Sequence, residues 1–131
     1  MKYLNDYIDS AISSILKENG AFFAFSNKQY KNKKVEGTTY INLGGGLIAP
    51  KKNAKILLEQ FDLAMQNGIV QDVEENGVKN IIWRELANYE CQIVNNCRDV
   101  IEALKEYPIS ENDILNEFKA YMQHCIEHDL F

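Results

Sequence analysis

Apolar residues recur at three- and four-residue steps through most of this chain, and the places where that rhythm fails mark its other elements. Leu4, Ile8, Ala11, Ile12 and Ile15 form one such stripe. Tyr3 to Asn19 is therefore predicted as an amphipathic helix, with Gly20 as its left-handed stop. Asn53 is placed to cap a second helix over 54–67, which carries Leu57, Phe61, Ala64 and Met65 on its core side and ends at Gly68. A shorter helix is expected over 68–75, ended by Asn76-Gly77. Asn80 caps the next, Ile81 to Cys91, with Ile82, Trp83 and Leu86 near its buried side. Asn95 or Asn96 starts a helix that runs to Lys105, ahead of the break at Pro108. Ser110 and Asp113 have capping-box spacing at the head of a last helix, Glu111 to Glu127.

The region from Ala21 to Pro50 has a different pattern. Ala21 to Phe25 is short and aromatic, and Thr38 to Leu43 alternates with β-branched residues, so both are predicted as strands. Leu47-Ile48-Ala49 is a third short strand before Pro50. Ser26 caps a helical turn through Tyr30, and residues 31–37 are a polar connection. Gly44-Gly45-Gly46, between the last two strands, opens backbone angles closed to other residues. The expected fold is α+β: a small antiparallel sheet of about three strands, packed with four to six helices. A length of 131 residues fits a single domain, 1–131.

Composition narrows the class. The chain is 46% hydrophobic and 25% charged, as ordinary globular proteins are, and unlike disordered ones. No apolar run approaches the ~18 residues a membrane span needs, so no membrane partner is expected. Met1 to Asp6 lacks the apolar core of a signal peptide. The three cysteines, Cys91, Cys97 and Cys125, include no CxxC pair and are expected to be unbridged. The net charge of −5 is unevenly spread: residues 1–60 carry nine lysines against five acids, and residues 61–131 carry five basic residues against fourteen acids. Such polarity suggests opposed charged faces, and reads more simply as two solvated surfaces that aid solubility.

Five groups of residues are candidates for chemistry. Gly44, Gly45 and Gly46 could cradle an anion, with Lys51 and Lys52 following at a helix start. The phosphate-loop and dinucleotide patterns GxxxxGK[ST] and GxGxxG are absent, and no cofactor is assigned. The basic run Lys28, Lys31, Lys33, Lys34 around Tyr30 reads more simply as a solvated surface than as a nucleic-acid contact. His124 and His128 share a helix face but lack a third ligand, so no metal site is assigned. The cysteines read as core groups, with only Cys97 near a helix start. In Arg84 to Glu90, Glu85 and Asn88 share a helix face, and Glu90 follows Leu86 by one turn, which places a carboxylate near the apolar side.

Phe23-Ala24-Phe25-Ser26-Asn27-Lys28-Gln29, Leu43-Gly44-Gly45-Gly46, Glu85-Leu86-Ala87-Asn88-Tyr89-Glu90 and Asp99-Val100-Ile101-Glu102-Ala103-Leu104 fall in the same order as blocks in a family of small proteins. Over residues 20–110 the chain resembles that family, whose members are carried by phages, plasmids and conjugative elements of gut and low-GC bacteria. The family has no established activity, so the resemblance implies a context and not a catalytic role. Its members usually show a histidine at the position of Tyr89 and an aromatic at that of Cys91.

These readings favour a binding protein over an enzyme. The first expectation is a cytoplasmic accessory protein that inhibits a host defence system, in the manner of an anti-CRISPR. Its partner would be a host defence protein or its nucleoprotein complex. The second is a sponge for a nucleotide signal, built on the Gly44–Gly46 loop with Lys51, Lys52 and stacking by Phe23 or Tyr30. The third is a small hydrolase using Glu85, Asn88 or Glu90. The candidate binding residues are Ser26, Asn27, Gln29, Gly44, Gly45, Gly46, Lys51, Lys52, Glu85, Asn88 and Glu90. An unpaired sheet edge also makes a homodimer an expectation.

Overall fold

A computed structural model describes residues 1–131. The fold is α+β, with seven helices and one three-stranded antiparallel sheet. In chain order the elements are α1 (Leu4–Glu18), β1 (Phe22–Phe23), α2 (Asn27–Lys33), β2 (Tyr40–Asn42), β3 (Leu47–Pro50), a 3-10 turn (Lys51–Asn53), α3 (Ala54–Asn76), α4 (Val78–Asn88), α5 (Cys91–Val94), α6 (Arg98–Ala103) and α7 (Glu111–His128). No helix is long and apolar enough to cross a membrane. The chain divides into two compact units, residues 2–68 and residues 69–131, the latter counted with Met1.

Residues 2–68 are organised by β3. Its apolar run Leu47-Ile48-Ala49-Pro50 is wholly buried, and it forms the middle of the sheet, in the order β1-β3-β2. Phe22 pairs with Ile48 and Phe23 with Leu47 on one side; Tyr40 pairs with Pro50, Ile41 with Ala49 and Asn42 with Ile48 on the other. Leu47, Ala49 and Leu57 form the core cluster, covered by Ile15, Leu16, Ala21, Leu43 and Phe61. Gly20 takes the left-handed conformation that ends α1, as its spacing predicts. Asn53 does not cap α3 through its side chain. It lies in the 3-10 turn, and its Nδ2 donates to the Asn19 carbonyl at 3.0 Å. Asn19 in turn donates to Gln60 at 2.8 Å, a polar clasp between the end of α1 and the start of α3.

Gly68 departs most from expectation. It does not stop a helix, and α3 runs unbroken through it to Asn76. A Cβ built there would sit 2.3 Å from Ile8 Cγ2, so the glycine lets α1 approach α3 closely. Sequence shows only that a glycine is present; whether it ends a helix or admits a neighbour depends on what packs against it.

Residues 69–131 form a helical unit in which α4 packs against α5, α6 and α7. Ile81, Ile82, Leu86, Val100, Leu104 and Ile114 are fully or almost fully buried. The capping box of α7 is present: Ser110 Oγ accepts from the Asp113 N–H, and Asp113 accepts from the Ser110 N–H, each at 3.1 Å. Helix α4 begins two residues before Asn80, which lies inside it and donates to the Asn76 carbonyl. The single helix expected from Asn95 is split. α5 is one turn bounded by left-handed Glu90 and Asn95, and α6 starts at Arg98 after Asn96 accepts from its N–H.

A buried ionic cluster crosses this unit. Arg84 forks onto Asp72, Nη1 to Oδ1 at 2.9 Å and Nη2 to Oδ2 at 3.0 Å, while its Nε donates to Glu85 at 2.9 Å. Tyr107 donates to Asp72 Oδ2 at 2.5 Å, and Asn76 donates to Oδ1 at 2.8 Å. No buried side-chain nitrogen or oxygen lacks a partner. Burial pushes the Asp72 pKa up, but the hydrogen bonds from Arg84, Tyr107 and Asn76 with the Arg84 charge outweigh it, so the carboxyl lies below its ordinary range. Burial, then the bond to Asp72, pushes Tyr107 above the ordinary phenol range.

Removing the arginine strands a buried carboxylate. Arg84→Met should destabilise residues 69–131 by about 3–5 kcal/mol, and the double change Asp72→Leu/Arg84→Met should recover only part of that, because Glu85, Tyr107 and Asn76 still lose their partners. Urea denaturation of the three proteins checks both values. Asp72 binds its proton less tightly folded than unfolded, so its contribution is complete above the ordinary Asp value of 3.8 and lost as pH falls through the lowered folded value. Tyr107 has the opposite sign. Its contribution is complete below pH 10.0 and declines above it. The measured stability of wild type should fall at both extremes, and Asp72→Leu/Arg84→Met should flatten the acid limb.

Candidate functional site

Residues 2–68 carry two clefts of about 400 Å³ each, and one of them is lined chiefly by Phe25, Ser26, Asn27, Tyr30, Tyr40 and Asn42. Three elements build it. β2 is an extended edge strand, so Tyr40 and Asn42, two residues apart, project from the same face. α2 supplies Asn27 and Tyr30, and its cap Ser26 accepts from the Gln29 N–H at 3.2 Å. Gln29 Oε1 closes the reciprocal bond by accepting from the Phe25 N–H at 2.7 Å. Lys33 Nζ donates to the Phe23 carbonyl at 2.7 Å and ties the far end of α2 to β1. The FAFSNKQ block is therefore a strand, a cap and a helix start locked by their own side chains.

Aromatic packing shapes the walls. Tyr30 and Tyr40 meet edge to face at 5.9 Å between centroids, and Phe22 contacts both. Phe23 and Phe25 stack at 6.2 Å with planes 7° apart, and Phe25 remains 72% exposed. The Phe25 ring lies over Gly46, where a Cβ would come within 2.4 Å of Cε1.

The glycine triplet is the turn of the β2–β3 hairpin. Gly44, Gly45 and Gly46 all have positive φ, at 96°, 58° and 82°. The Gly44 N–H is held by Asn42 Oδ1 at 2.8 Å, and the Gly46 carbonyl accepts from the Ala24 N–H at 2.8 Å. Lys51 and Lys52 are not beside it. β3 intervenes, about 13 Å of chain at ~3.3 Å per residue, and the two lysines line a second cleft of about 400 Å³ with Gly37, Thr38, Thr39 and Pro50. The expected glycine–lysine anion site is thus distributed over opposite ends of one hairpin.

Residues Glu85, Asn88 and Glu90 are likewise not one constellation. Glu85 is buried and bound to Arg84, Asn88 is exposed in the last turn of α4, and Glu90 is exposed in a left-handed conformation outside the helix. The apolar-side carboxylate expected at Glu90 instead arises at Glu85 and Asp72. Sequence periodicity placed Glu90 on α4, but the helix ends two residues earlier.

The other candidates are occupied locally. His124 packs on Trp83 with centroids 5.3 Å apart, and His128 Nδ1 is 2.9 Å from the His124 carbonyl. All three cysteines are free and buried. Burial, with the nearby Cys97 and Asp99, pushes the Cys91 thiol up to about 11, and burial also raises Cys97. The site residues missed from sequence are Tyr40 and Asn42. Their i, i+2 spacing on an edge strand was the available signal.

Fold and cleft together define the class: a small α+β protein whose N-terminal unit presents a cleft walled by rings and side-chain amides. The chain belongs to DUF7659, a family of unknown function whose model matches residues 4–124. No curated protein and no solved structure matches it.

Gly46 offers a direct test of how the cleft is held. Gly46→Ala should cost about 1–3 kcal/mol from backbone strain and should also displace Phe25. Gly45→Ala, with open space around its Cβ, should cost strain alone. Urea denaturation gives the energies, and Phe25 ring resonances in NMR spectra should shift much more in the first variant than in the second.

Proposed function

We propose that this protein acts by binding, as an accessory protein of a mobile genetic element that counters a host defence, and that its working surface is the ring-walled cleft of residues 2–68. The cleft is the observation that carries this reading. Its volume of about 400 Å³ falls in the range of small-molecule sites. It brings the rings of Phe25, Tyr30 and Tyr40 together with the polar side chains of Ser26, Asn27 and Asn42. Ring faces stack on any flat heteroaromatic ring, and amides and hydroxyls address the ring's edge. Residues 2–68 carry nine lysines against six acids, a field that favours a phosphorylated ligand. A nucleotide has all three features, so the reading supported best is sequestration of a nucleotide signal. The resemblance of the FAFSNKQ block to proteins of phages and plasmids supplies the setting.

Melting temperature provides the test. Cyclic nucleotides or ADP-ribose nucleotides at about 100 times their Kd should add about 2.7 kcal/mol to the stability of the binding unit. Phe25→Ala should abolish the shift with little loss of basal stability, because that ring is 72% exposed. A screen in which no nucleotide moves the melting temperature would sink the sequestration reading.

A second reading, direct inhibition of a defence protein, is favoured by the acid surplus of the C-terminal half. Glu74, Glu75, Glu102 and Glu106 are all exposed there. Such a surface suits the basic channel of a nucleic-acid-binding partner. Charge reversal at the four glutamates should weaken capture of that partner by more than tenfold at low salt; unchanged capture would remove this reading.

A further inference from the structure

Helix α3 carries apolar residues on two opposed sides, and only one of those sides is buried. Leu57, Gly68, Ile69 and Asp72 lie on the inner side. Ile56, Leu63 and Val70 recur every seven residues on the other, and they are 50%, 58% and 53% exposed. At about 100° per residue, these three fall within about 40° of one another around the axis, and Glu74 falls with them. A seven-residue recurrence drifts by only about 20° per step, so the three side chains make a nearly straight seam along ~21 Å of helix. None of them lines either cleft. The outer face of an ordinary surface helix is polar; an apolar seam at this spacing suits a second helix.

The charges along the seam point to the partner. Leu63 is its midpoint: Ile56 lies seven residues before it and Val70 seven after, while Lys52 lies eleven before and Glu74 eleven after. We propose that two copies of this chain pair antiparallel through α3, about a two-fold axis at Leu63. In that register Leu63 meets the partner's Leu63, and Ile56 meets the partner's Val70. Lys52, exposed in the turn ahead of α3, meets the partner's Glu74. Each contact occurs twice, as a two-fold interface requires. Lys55 and Glu59 fall opposite the partner's Gln71 and the partner's Asn67, so no like charges are opposed. A parallel, in-register pair would instead set Lys52, Glu59 and Glu74 each against its own copy. Neither Lys52 nor Glu74 has an ionic partner inside the chain. A crossing angle near 20° keeps two such seams together along their length. The sheet edges β1 and β2, two and three residues long, offer a second copy much less. A single helix pair buries less than the ~1,200 Å² of a stable interface, so the association is weak and reversible.

Sedimentation velocity of the full chain at low salt, across an about hundredfold range of concentration, tests the pairing. The sedimentation coefficient should rise from that of a monomer toward that of a dimer as concentration increases. Leu63→Glu puts two carboxylates together at the axis and should raise the dimer Kd by more than about tenfold. Its circular dichroism should match wild type, because Leu63 is largely exposed. Lys52→Glu and Glu74→Lys should each weaken the dimer, and the double change Lys52→Glu/Glu74→Lys should restore it. A parallel pair would show no such rescue, since each position would still face its own charge. Monomer at every concentration, a dimer that Leu63→Glu leaves intact, or single charge changes that the double change fails to rescue would each overturn the proposal.

Discussion

Asp72 is fully buried and charged, and the C-terminal unit is arranged around satisfying it. Its two oxygens receive the fork of Arg84 from α4, the hydroxyl of Tyr107 from the connection before α7, and the amide of Asn76 from its own helix. Three parts of the chain, α3, α4 and the connection before α7, must therefore arrive together. A slip of α4 by one residue would turn Arg84 away and leave a bare carboxylate in an apolar interior. The net energy of such a buried pair is small, because desolvation of both charges offsets their attraction. Any other packing of these helices that parted Arg84 from Asp72 would leave a buried carboxylate unpaired, which is costly.

The N-terminal unit solves the opposite problem. Its sheet is short, with α1 and α3 packed on it, and many local bonds fix its loops. Ser26 with Gln29, Asn42 with Gly44, and Lys33 with the Phe23 carbonyl each fix a few residues. The same bonds hold the rim of the cleft. A recognition surface built in this way is pre-organised by its own loops, so little ordering cost remains to be met on binding.

Much of this was legible because it rests on local rules. The stripe of α1, the cap of α2, the capping box of α7 and the apolar run of β3 are each written within a few consecutive residues. The parts that were not legible depend on distant partners. Gly68 sits inside a helix because Ile8 needs its missing side chain. Asp72 and Arg84 are twelve positions apart with no pattern linking them. Glu90 was misplaced because helical periodicity carries no information on where a helix ends, and no glycine or proline marks the end of α4. Half of the cleft, Ser26 and Asn27, could be read from a helix cap. The other half, Tyr40 and Asn42, needed the register of β2 against β3.

The distribution of sulfur has a practical consequence. Cys91, Cys97 and Cys125 all lie in residues 69–131 and all are buried, while residues 2–68 contain none. Alkylating reagents therefore reach a thiol only when the C-terminal unit opens. The rate of native-state labelling is a built-in clock for that opening, and it runs without any engineered probe. It reads one half of the chain and is blind to the half that carries the cleft.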